Sequence, residues 1–423
     1  MAQTNTFNIG TLGRLAAGIS VFIAGIIATS PQPTRMLWQA SVVLSEWGLW
    51  LALLSLLLIP GYRRSRLDAL GSILAAIAIL FLLVPLSNAV RLSRTLPMSL
   101  EKTFGSSISQ TIPNKPPRAA PLVFKDLLAG ISSSDVLVDE HVYQVVNDKQ
   151  LSLDLYRPAF ADGALPVVMV VHAGGWTSGN KRQLTSLNDY LASRGYVVAS
   201  IEYRLAPQWQ FPAAQEDLNA AIQYIKTLEY SHGLDPNRIA LIGRSAGGQI
   251  ALLAAYKTED PSIRGVVSFY GPIALRWGYN NPAKLGVIDS SGILELYLGG
   301  TPESHSSQYF AAEPAQFVND STPPTLLIQG LRDEHVAPFH SNFLSARLLE
   351  EGVPHFILRM PWATHGCDYI FSGPCGQIST FAVERFLGSV SVSYTHLRAH
   401  ETDYYLVCSL LLEKKKRGGG GGR

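Results

Sequence analysis

The distribution of hydrophobic residues divides this chain into two unlike parts. The first part contains three apolar runs, at residues 12–29, 37–59 and 70–90. About 20 mainly apolar residues are enough to cross the hydrocarbon core of a bilayer as a helix. The runs are apolar on every face, which is unusual for helices at the surface of a soluble protein. The sequence therefore predicts an all-α membrane region of about three helices in residues 1–90, with a signal peptide as the alternative for the first run.

The arginines between these runs predict the orientation of the membrane region. The second connection carries Arg63, Arg64 and Arg66, whereas the first carries only Arg35. Short cytoplasmic connections have an excess of lysine and arginine. This places the second connection in the cytoplasm and everything after residue 90 outside, although basic residues just beyond the third run favour the opposite orientation.

The pattern changes twice after the third run. Residues 91–134 are rich in Pro, Ser and Lys with broken hydrophobic periodicity, which predicts a linker with one short helix at 120–130. From Asp135 onward, strand patterns alternate with helical ones, beginning with a hairpin that turns at 147–149. Several of these strands are almost continuously apolar, as in parallel sheets buried on both faces. Residues 135–390 are therefore predicted to form an α/β domain with a mostly parallel, doubly wound sheet.

Composition narrows the class of partner. Charged residues make up 16% of the chain, compared with roughly 25% in typical soluble domains. The formal net charge is +2, but the stretch from Ser393 onward contributes six basic and three acidic residues. The rest of the chain has no basic excess, so no nucleic-acid partner is expected. Residues 391–423 end in a lysine run and a glycine run and are interpreted as a non-native or disordered tail, outside the fold.

The hexapeptide GRSAGG, residues 243–248, lies between a predicted buried strand and a predicted helix. The pattern G-x-S-x-G in this setting is typical of a nucleophile elbow, whose sharp turn exposes the serine hydroxyl at the carboxyl edge of the sheet. Small residues at Gly243 and Gly247 avoid a clash across the turn. Ser245 is therefore the predicted nucleophile, and an ordinary helix N-cap serine is the alternative interpretation.

A serine nucleophile requires a base, and the base requires an acid that orients it. Asp333 and His365 follow two later strands, in the chain order Ser, Asp, His that this arrangement uses. Glu334 is the alternative acid. His335 and His340 are five residues apart, but we expect neither a metal site there nor any other cofactor.

Acyl transfer also requires hydrogen-bond donors for a developing oxyanion. Gly174 and Gly175 follow the first long parallel strand, and their N–H groups can approach a substrate oxygen because they lack side chains. The N–H of Ala246, directly after the predicted nucleophile, is the third candidate. A simple glycine-rich turn is the alternative interpretation of the first two.

Together these motifs resemble the α/β-hydrolase superfamily, in particular its hormone-sensitive-lipase-like and acetyl-xylan/feruloyl-esterase-like carboxylesterases. The resemblance covers residues 135–387 and is carried by HAGGW, by YRLAPQWQFPAAQEDL, by GRSAGG and by the two triad loops. It implies that Tyr203, Arg204 and Asp217 are structural. Ala173 departs from the usual His-Gly-Gly-Gly, but the two glycines that usually donate are present. The family does not usually carry three membrane helices.

The resemblance implies a membrane-anchored serine carboxylesterase that hydrolyses small or short-acyl esters without a cofactor. A serine peptidase or amidase of the same fold remains an alternative, as does a non-catalytic, membrane-anchored binding module. Residues 273–320 are expected to line or cover the pocket. The aromatic residues of this segment are candidates for the pocket and equally for the core: Trp277, Tyr279, Tyr297 and Tyr309.

Two cysteines lie close to the predicted base. Cys367 and Cys375 flank a short loop that begins two residues after His365, and the turn signal Gly373-Pro374 lies within it. A disulfide is expected if the domain is outside the cell, because disulfides persist in oxidising compartments. Two free thiols are the alternative.

Overall fold

The computed structural model describes residues 9–59, 65–105, 117–133, 135–159, 163–283 and 286–391. The predictions for Arg63 and Arg64, for the middle of the linker and for the tail beyond residue 391 lie outside these residues.

A single eight-stranded sheet forms the centre of the larger domain, in the order β1-β2-β4-β3-β5-β6-β7-β8. The first two strands form an antiparallel hairpin, β2 pairs antiparallel with β4, and all other pairs are parallel. The strands are β1 (Val136–Val146), β2 (Lys149–Pro158), β3 (Leu165–Val171), β4 (Val197–Ile201), β5 (Leu234–Arg244), β6 (Ile263–Phe269), β7 (Thr325–Gly330) and β8 (His355–Met360).

Helices connect the parallel strands and cover both faces of the sheet, and five α-helices precede its first strand. The helices of the described residues are α1 (Ile9–Thr29), α2 (Arg35–Glu46), α3 (Gly48–Ser55), α4 (Arg66–Phe104), α5 (Phe124–Ala129), α6 (Ser186–Ser193), α7 (Ala213–Thr227), α8 (Glu229–His232), α9 (Ala246–Lys257), α10 (Leu275–Asn280), α11 (Ser290–Leu298), α12 (Ser306–Ala312), α13 (Phe339–Glu350) and α14 (Pro374–Ser391).

The predicted fold class is confirmed, and the apolar pattern of the strands explains it. Every residue of β4 and β7 is buried, because helices lie on both faces of the sheet. The two cores on opposite faces contain alternate residues of β3, with Val167 and Met169 in one and Val168 and Val170 in the other. The predicted hairpin turn is also confirmed, since Asn147 and Asp148 have the positive φ values, 47° and 62°, that a tight turn requires.

The N-terminal helices form a bundle attached to this domain. Helices α1 and α4 run parallel, because Thr11 donates to Asp68 (3.2 Å) near the start of each helix and the rings of Phe22 and Phe81 lie 6.2 Å apart further along both. Phe104 at the end of α4 packs on Phe386 of α14. By length and composition, α1 and α4 are candidate membrane spans, and the bent pair α2–α3 is a third candidate if it is counted as one span.

The second apolar run differs from the continuous helix that was predicted. It bends by 75° between α2 and the residues 48–58 that follow. The carboxylate of Glu46 accepts hydrogen bonds from Trp362 Nε1 (3.2 Å) and from Cys375 N (2.7 Å). A carboxylate is costly in hydrocarbon, so α2 lies against the sheet domain, where Glu46 has partners.

The predicted linker is also partly wrong. Helix α4 continues past residue 90 to Phe104, although Pro85 and Pro97 interrupt the helical pattern of the sequence. The continuation is stabilised by packing, since Leu96, Leu100 and Phe104 are buried in the same core as α14. The short helix expected at residues 120–130 is present as α5.

The loop after β8 is closed by a disulfide between Cys367 and Cys375. Their Cα atoms are 5.8 Å apart, within the range that a disulfide spans. Both cysteines are fully buried, and Cys367 lies two residues after His365. The bridge therefore fixes one side of the loop that carries this histidine.

We expect both cysteines to resist thiol labelling until the protein is reduced. The measurement is maleimide mass labelling of the denatured, membrane-expressed Cys408→Ala variant, with and without prior reductant. The expected result is no label before reduction and two labels after it. Two labels on the unreduced protein would contradict the bridge.

Candidate active site

The turn between β5 and α9 gives Ser245 an unusual backbone conformation. Its φ and ψ are 51° and −120°, outside the regions that side-chain-bearing residues normally adopt. The turn is held because Ser245 N donates to Phe269 O of β6 (2.9 Å) and Gly248 N donates to Ser245 O (2.8 Å). The Ser245 side chain, which is half-buried, therefore projects from the carboxyl edge of the sheet.

The turn is possible only because its neighbours are glycines. A Cβ on Gly243 would lie 2.0 Å from Gly247 O, and a Cβ on Gly247 would lie 2.3 Å from Val171 O at the end of β3. These distances are far below any normal van der Waals contact. The G-x-S-x-G spacing is therefore a steric requirement of this turn.

The structure brings the three predicted triad residues into one line of hydrogen bonds. His365 Nε2 is 3.0 Å from Ser245 Oγ, and His365 Nδ1 is 2.9 Å from Asp333 Oδ2. The carboxyl ends of β5, β7 and β8 supply these residues, and parallel strands present those ends at the same sheet edge. The distances are those at which a base can take a hydroxyl proton and an acid can orient the base.

Asp333 has the surroundings of an orienting carboxylate, and Glu334 does not. Asp333 Oδ1 accepts from the backbone N–H groups of His335 (2.9 Å) and Val336 (2.8 Å), which leaves Oδ2 directed at the histidine. The carboxylate of Glu334 instead accepts from Gln32 N (3.1 Å) and from the hydroxyl of Thr364. The geometry therefore favours Asp333 over the alternative acid.

The predicted oxyanion donors have unpaired N–H groups among the residues that the structure describes. Within the described part of the chain, the N–H groups of Gly174, Gly175 and Ala246 have no hydrogen-bond partner. Gly174 has φ 133°, and a Cβ there would lie 1.9 Å from Ser178 O, so only glycine fits. The N–H of Ala246 also lies at the first turn of α9, where the helix dipole favours negative charge.

The loop with the two glycines rests on a buried aromatic pair. The rings of His172 and Tyr203 stack with centroids 4.1 Å apart, and the Tyr203 hydroxyl donates to His172 O (3.1 Å). Burial lowers the pKa of His172 to about 4, so its ring is neutral. Ala173, the departure from the usual glycine, donates its N–H to Gln183 Oε1 (2.8 Å). The loop is therefore braced from both sides.

Arg204 and Asp217 form the structural pair that the resemblance implied. Asp217 is fully buried and accepts from both the backbone N–H (2.7 Å) and the Nε (2.8 Å) of Arg204. This pair joins the loop after β4 to α7, away from the triad.

Two of the four candidate aromatic residues between 273 and 320 belong to the core. Tyr297 is buried and stacks on Trp176 at 4.3 Å, and Tyr309 is also buried. Tyr279 donates to Glu295 (2.6 Å), and Trp277 is half-buried and stacks on Phe339. Ile293 of α11 lies against the oxyanion loop, since a Cβ on Gly175 would meet its Cγ2 at 3.2 Å.

A buried ion pair joins the elbow to the histidine loop, and the sequence analysis missed it. Arg244 Nε donates to Asp368 Oδ2 (2.6 Å), and the Tyr270 hydroxyl donates to Asp368 Oδ1 (2.5 Å). Arg244 directly precedes Ser245, and Asp368 follows His365 by three residues. An arginine at the variable position of the elbow motif was the available signal, but its partner lies 124 residues away.

The N-terminal helices also reach the site, which the sequence did not indicate. Trp38 of α2 donates its indole N–H to His365 O (3.2 Å). The rings of Trp38 and His335 lie 4.3 Å apart, and those of His335 and His365 stack at 4.7 Å with 15° between their planes. The base is therefore contacted by residues from both parts of the chain.

No group of three or more metal-ligating side chains occurs among the residues that the structure describes. His340 instead accepts hydrogen bonds at Nδ1 from Ile273 N and Ala274 N, each at 3.1 Å. Burial lowers the pKa of His340 to about 4. This histidine therefore organises the loop after β6.

Comparison with known proteins identifies the relatives of this chain. The family described as BD-FAE matches residues 153–348. The probable carboxylic ester hydrolase LipM of Mycobacterium tuberculosis (strain ATCC 25618 / H37Rv) is 28% identical over 257 residues, covering 56% of this chain and 58% of that protein. Esterase LipC of the same organism is 28% identical over 246 residues, covering 53% and 58%. The chain thus spans a little over half the length of these relatives.

A shorter stretch is more similar to plant enzymes. A probable isoprenylcysteine alpha-carbonyl methylesterase, ICMEL1 of Oryza sativa subsp. japonica, is 42% identical over 135 residues, covering 30% of this chain and 32% of that protein.

Solved structures share the fold. A bacterial heroin esterase superposes with a TM-score of 0.53 at 23% identity, covering 64% of this chain and 88% of that one. A fungal esterase of Rhizomucor miehei gives a TM-score of 0.53 at 21% identity, covering 70% and 92%. At this identity the likeness establishes the fold alone. The chain therefore has the α/β-hydrolase fold, and it is similar to proteins described as carboxylic ester hydrolases and esterases.

Proposed function

We propose that this chain is a membrane-anchored serine carboxylesterase that hydrolyses small or short-acyl esters. The observation that carries the proposal is the continuous line of hydrogen bonds from Asp333 through His365 to Ser245, at 2.9 and 3.0 Å. The esterase relatives support the same reaction class.

The first half of the reaction forms an acyl-enzyme. Ser245 Oγ attacks the ester carbonyl while His365 Nε2 takes the hydroxyl proton, and Asp333 stabilises the imidazolium that results. The carbonyl oxygen becomes an oxyanion that accepts hydrogen bonds from the N–H groups of Gly174, Gly175 and Ala246. His365 then gives its proton to the leaving alkoxide, and the alcohol departs.

The second half releases the acid. Water attacks the acyl carbonyl while His365 removes its proton, and the same N–H groups stabilise the second oxyanion. His365 returns the proton to Ser245 Oγ as the acyl–oxygen bond breaks. The protein itself supplies the nucleophile, the base, the acid and the oxyanion donors, and we propose no cofactor.

The oxyanion-loop side of the site supports the proposed preference for small acyl groups. Ile293 of α11 lies against Gly175 and narrows the space beside the loop. The segment that could cover the pocket forms the short helices α10 to α12, and Tyr297 and Tyr309 pack inward. A peptidase or amidase of the same fold is the alternative, and comparing hydrolysis of p-nitrophenyl acetate, a long-chain ester and a peptide anilide distinguishes these substrates.

We also propose that the membrane region crosses the bilayer and leaves the hydrolase domain outside the cytoplasm. The start of α1 and the start of α4 lie together at one end of the bundle, next to Arg66, and the hydrolase contacts the other end. Under the positive-inside rule, the arginine-bearing end is cytoplasmic. Residues 1–90 are proposed as the membrane region, 91–134 as the connection and 135–390 as the catalytic domain.

Replacing the nucleophile tests the mechanism. The Ser245→Ala variant is expected to lower kcat by about 10³-fold or more, because no attacking hydroxyl remains. Ester turnover and fluorophosphonate labelling of wild type and variant are the measurements. Thermal unfolding serves as the control for the fold. If the correctly folded variant keeps more than a tenth of the activity, the triad assignment is wrong.

Replacing the two adjacent carboxylates tests which of them is the acid. Asp333→Asn is expected to lower kcat by about 10⁴-fold, because the amide no longer fixes the required imidazole tautomer. Glu334→Gln keeps an oxygen that can accept from Gln32 N, so we expect a loss below about tenfold, the scale of one hydrogen bond. The opposite ranking of the two kcat values would mean that Glu334 is the acid.

Single cysteines test the orientation in the bilayer. In a Cys408→Ala background, Ser307→Cys on exposed α12 should react with a membrane-impermeant maleimide on intact cells. Ile9→Cys, at a position 87% exposed at the start of α1, should react only after permeabilisation. Labelling of position 9 alone on intact cells would reverse the proposed orientation.

A further inference from the structure

The end of helix α1 is bonded directly to a loop of the active site. Arg332 donates from Nη1 to Ala28 O (2.7 Å) and from Nη2 to Ser30 O (2.5 Å). Arg332 immediately precedes Asp333. The last turn of a candidate membrane helix is therefore attached one residue before the acid of the triad.

The connection between α1 and α2, residues 30–34, continues along the same loop. Gln32 is buried, and its N–H donates to Glu334 Oε1 (3.1 Å), one residue after Asp333. The loop that carries the acid is thus attached to the membrane region on both sides of Asp333.

The same connection reaches the opposite side of the site. Arg35 N donates to Gly286 O (2.8 Å), and a Cβ on Gly286 would lie only 2.3 Å from Pro33 O. The segment after Gly286 leads into α11, which places Ile293 against Gly175 of the oxyanion loop. Residues 30–38 therefore connect the acid and base loops to the segment beside the oxyanion loop.

Within residues 30–38, Trp38 makes the contacts with the base. Its Nε1 donates to His365 O at 3.2 Å, across a separation of 327 residues. Its ring lies 4.3 Å from the ring of His335, which stacks on His365 at 4.7 Å. Tyr270 covers the imidazole from another direction, with centroids 4.4 Å apart. The imidazole is thus confined by His335 and Tyr270, and its backbone is held by Trp38.

His335 is suited to transmit this packing without disturbing the charge on the base. Among the described residues, its buried Nδ1 has no hydrogen-bond partner, so the ring position depends on stacking. Burial, together with the neighbouring His365, lowers the pKa of His335 to about 3. A neutral ring does not repel the imidazolium that forms on His365 during turnover.

We propose that the membrane region completes the active site, with Trp38 as a positioning residue that keeps His365 aligned with Ser245. Trp38 holds the His365 carbonyl directly by its hydrogen bond, and it holds the His365 ring through the ring of His335. The inference rests on the proposed esterase function. It extends that function, because the triad geometry of this chain then depends on a residue outside the hydrolase domain.

The test compares variants of the full-length protein in nanodiscs. Trp38→Ala removes the hydrogen bond and the ring, and we expect kcat to fall by about 10²-fold, as for a displacement of about 1 Å in a reacting group. KM should change little, because ester contacts are untouched. The rate of phosphonylation of Ser245 by a small fluorophosphonate should fall in parallel, since it uses the same base.

Conservative variants separate positioning from general stability. Trp38→Phe keeps a ring against His335 and should be about tenfold faster than Trp38→Ala, with a remaining loss of about tenfold for the missing hydrogen bond. His335→Phe should likewise exceed His335→Ala. The matched control is Trp47→Ala, which removes a tryptophan of the same region that is 53% exposed, and it should leave kcat unchanged.

The outcomes separate this inference from the proposed function. If wild-type Ser245 is not labelled by the fluorophosphonate, the esterase assignment fails. If wild type is labelled and Trp38→Ala matches it in kcat and labelling rate, only the positioning role fails. If Trp38→Ala does not fold, the comparison of His335→Phe with His335→Ala takes its place. Equal rates for these two variants overturn the positioning role. A double variant, Trp38→Ala with His335→Ala, should lose little more than Trp38→Ala alone, because the ring of Trp38 acts through the same stack as His335.

Discussion

The backbone turn at Ser245 is the constraint on which the rest of the site depends. A residue with a side chain is held at φ 51° because the glycines on either side let β5, α9 and the end of β3 approach more closely than any Cβ would allow. The same approach places the oxyanion loop, which follows β3, beside the nucleophile. A cost of order 1–3 kcal/mol for such a backbone conformation is offset by the packing that surrounds it. Nucleophile and oxyanion donors are therefore consequences of one contact between chain segments.

The base and the acid depend on longer-range support. They follow the outer strands β8 and β7, so the sheet brings them to the correct edge but does not fix a side chain at the end of a loop. Arg244 and Asp368 supply part of the missing constraint, because a buried ion pair joins the residue before Ser245 to the histidine loop. Removing one partner of such a pair leaves a buried charge unpaired, which is strongly destabilising. The disulfide at Cys367 holds the same loop from the other side.

These differences in support explain what could be predicted from the sequence. The succession of strands and helices along the chain and the elbow follow from local patterns, because hydrophobic period and glycine spacing are properties of a few adjacent residues. The three residues of the proposed triad could be named because parallel strands end at one edge. The continuation of α4 to Phe104 could not, since its two prolines and weak period are overcome only by packing against α14. The contacts of Trp38 with His365 and of Arg244 with Asp368 could not be predicted either, because they join residues 327 and 124 positions apart. For the same reason, the sequence does not decide whether Tyr297 and Tyr309 pack inward.

Glu46 explains why the membrane region meets the active site. It is the one carboxylate within the second apolar run, and in a straight helix it would face hydrocarbon. The 75° bend after Glu46 avoids this, because it lays α2 on the hydrolase domain, where Trp362 and the Cys375 N–H bind the carboxylate. Once α2 lies there, its first turn comes over the triad loops and Trp38 reaches His365. The bend after Glu46 thus accompanies two features, the pairing of this carboxyl group with the hydrolase domain and the contact between the N-terminal helices and His365.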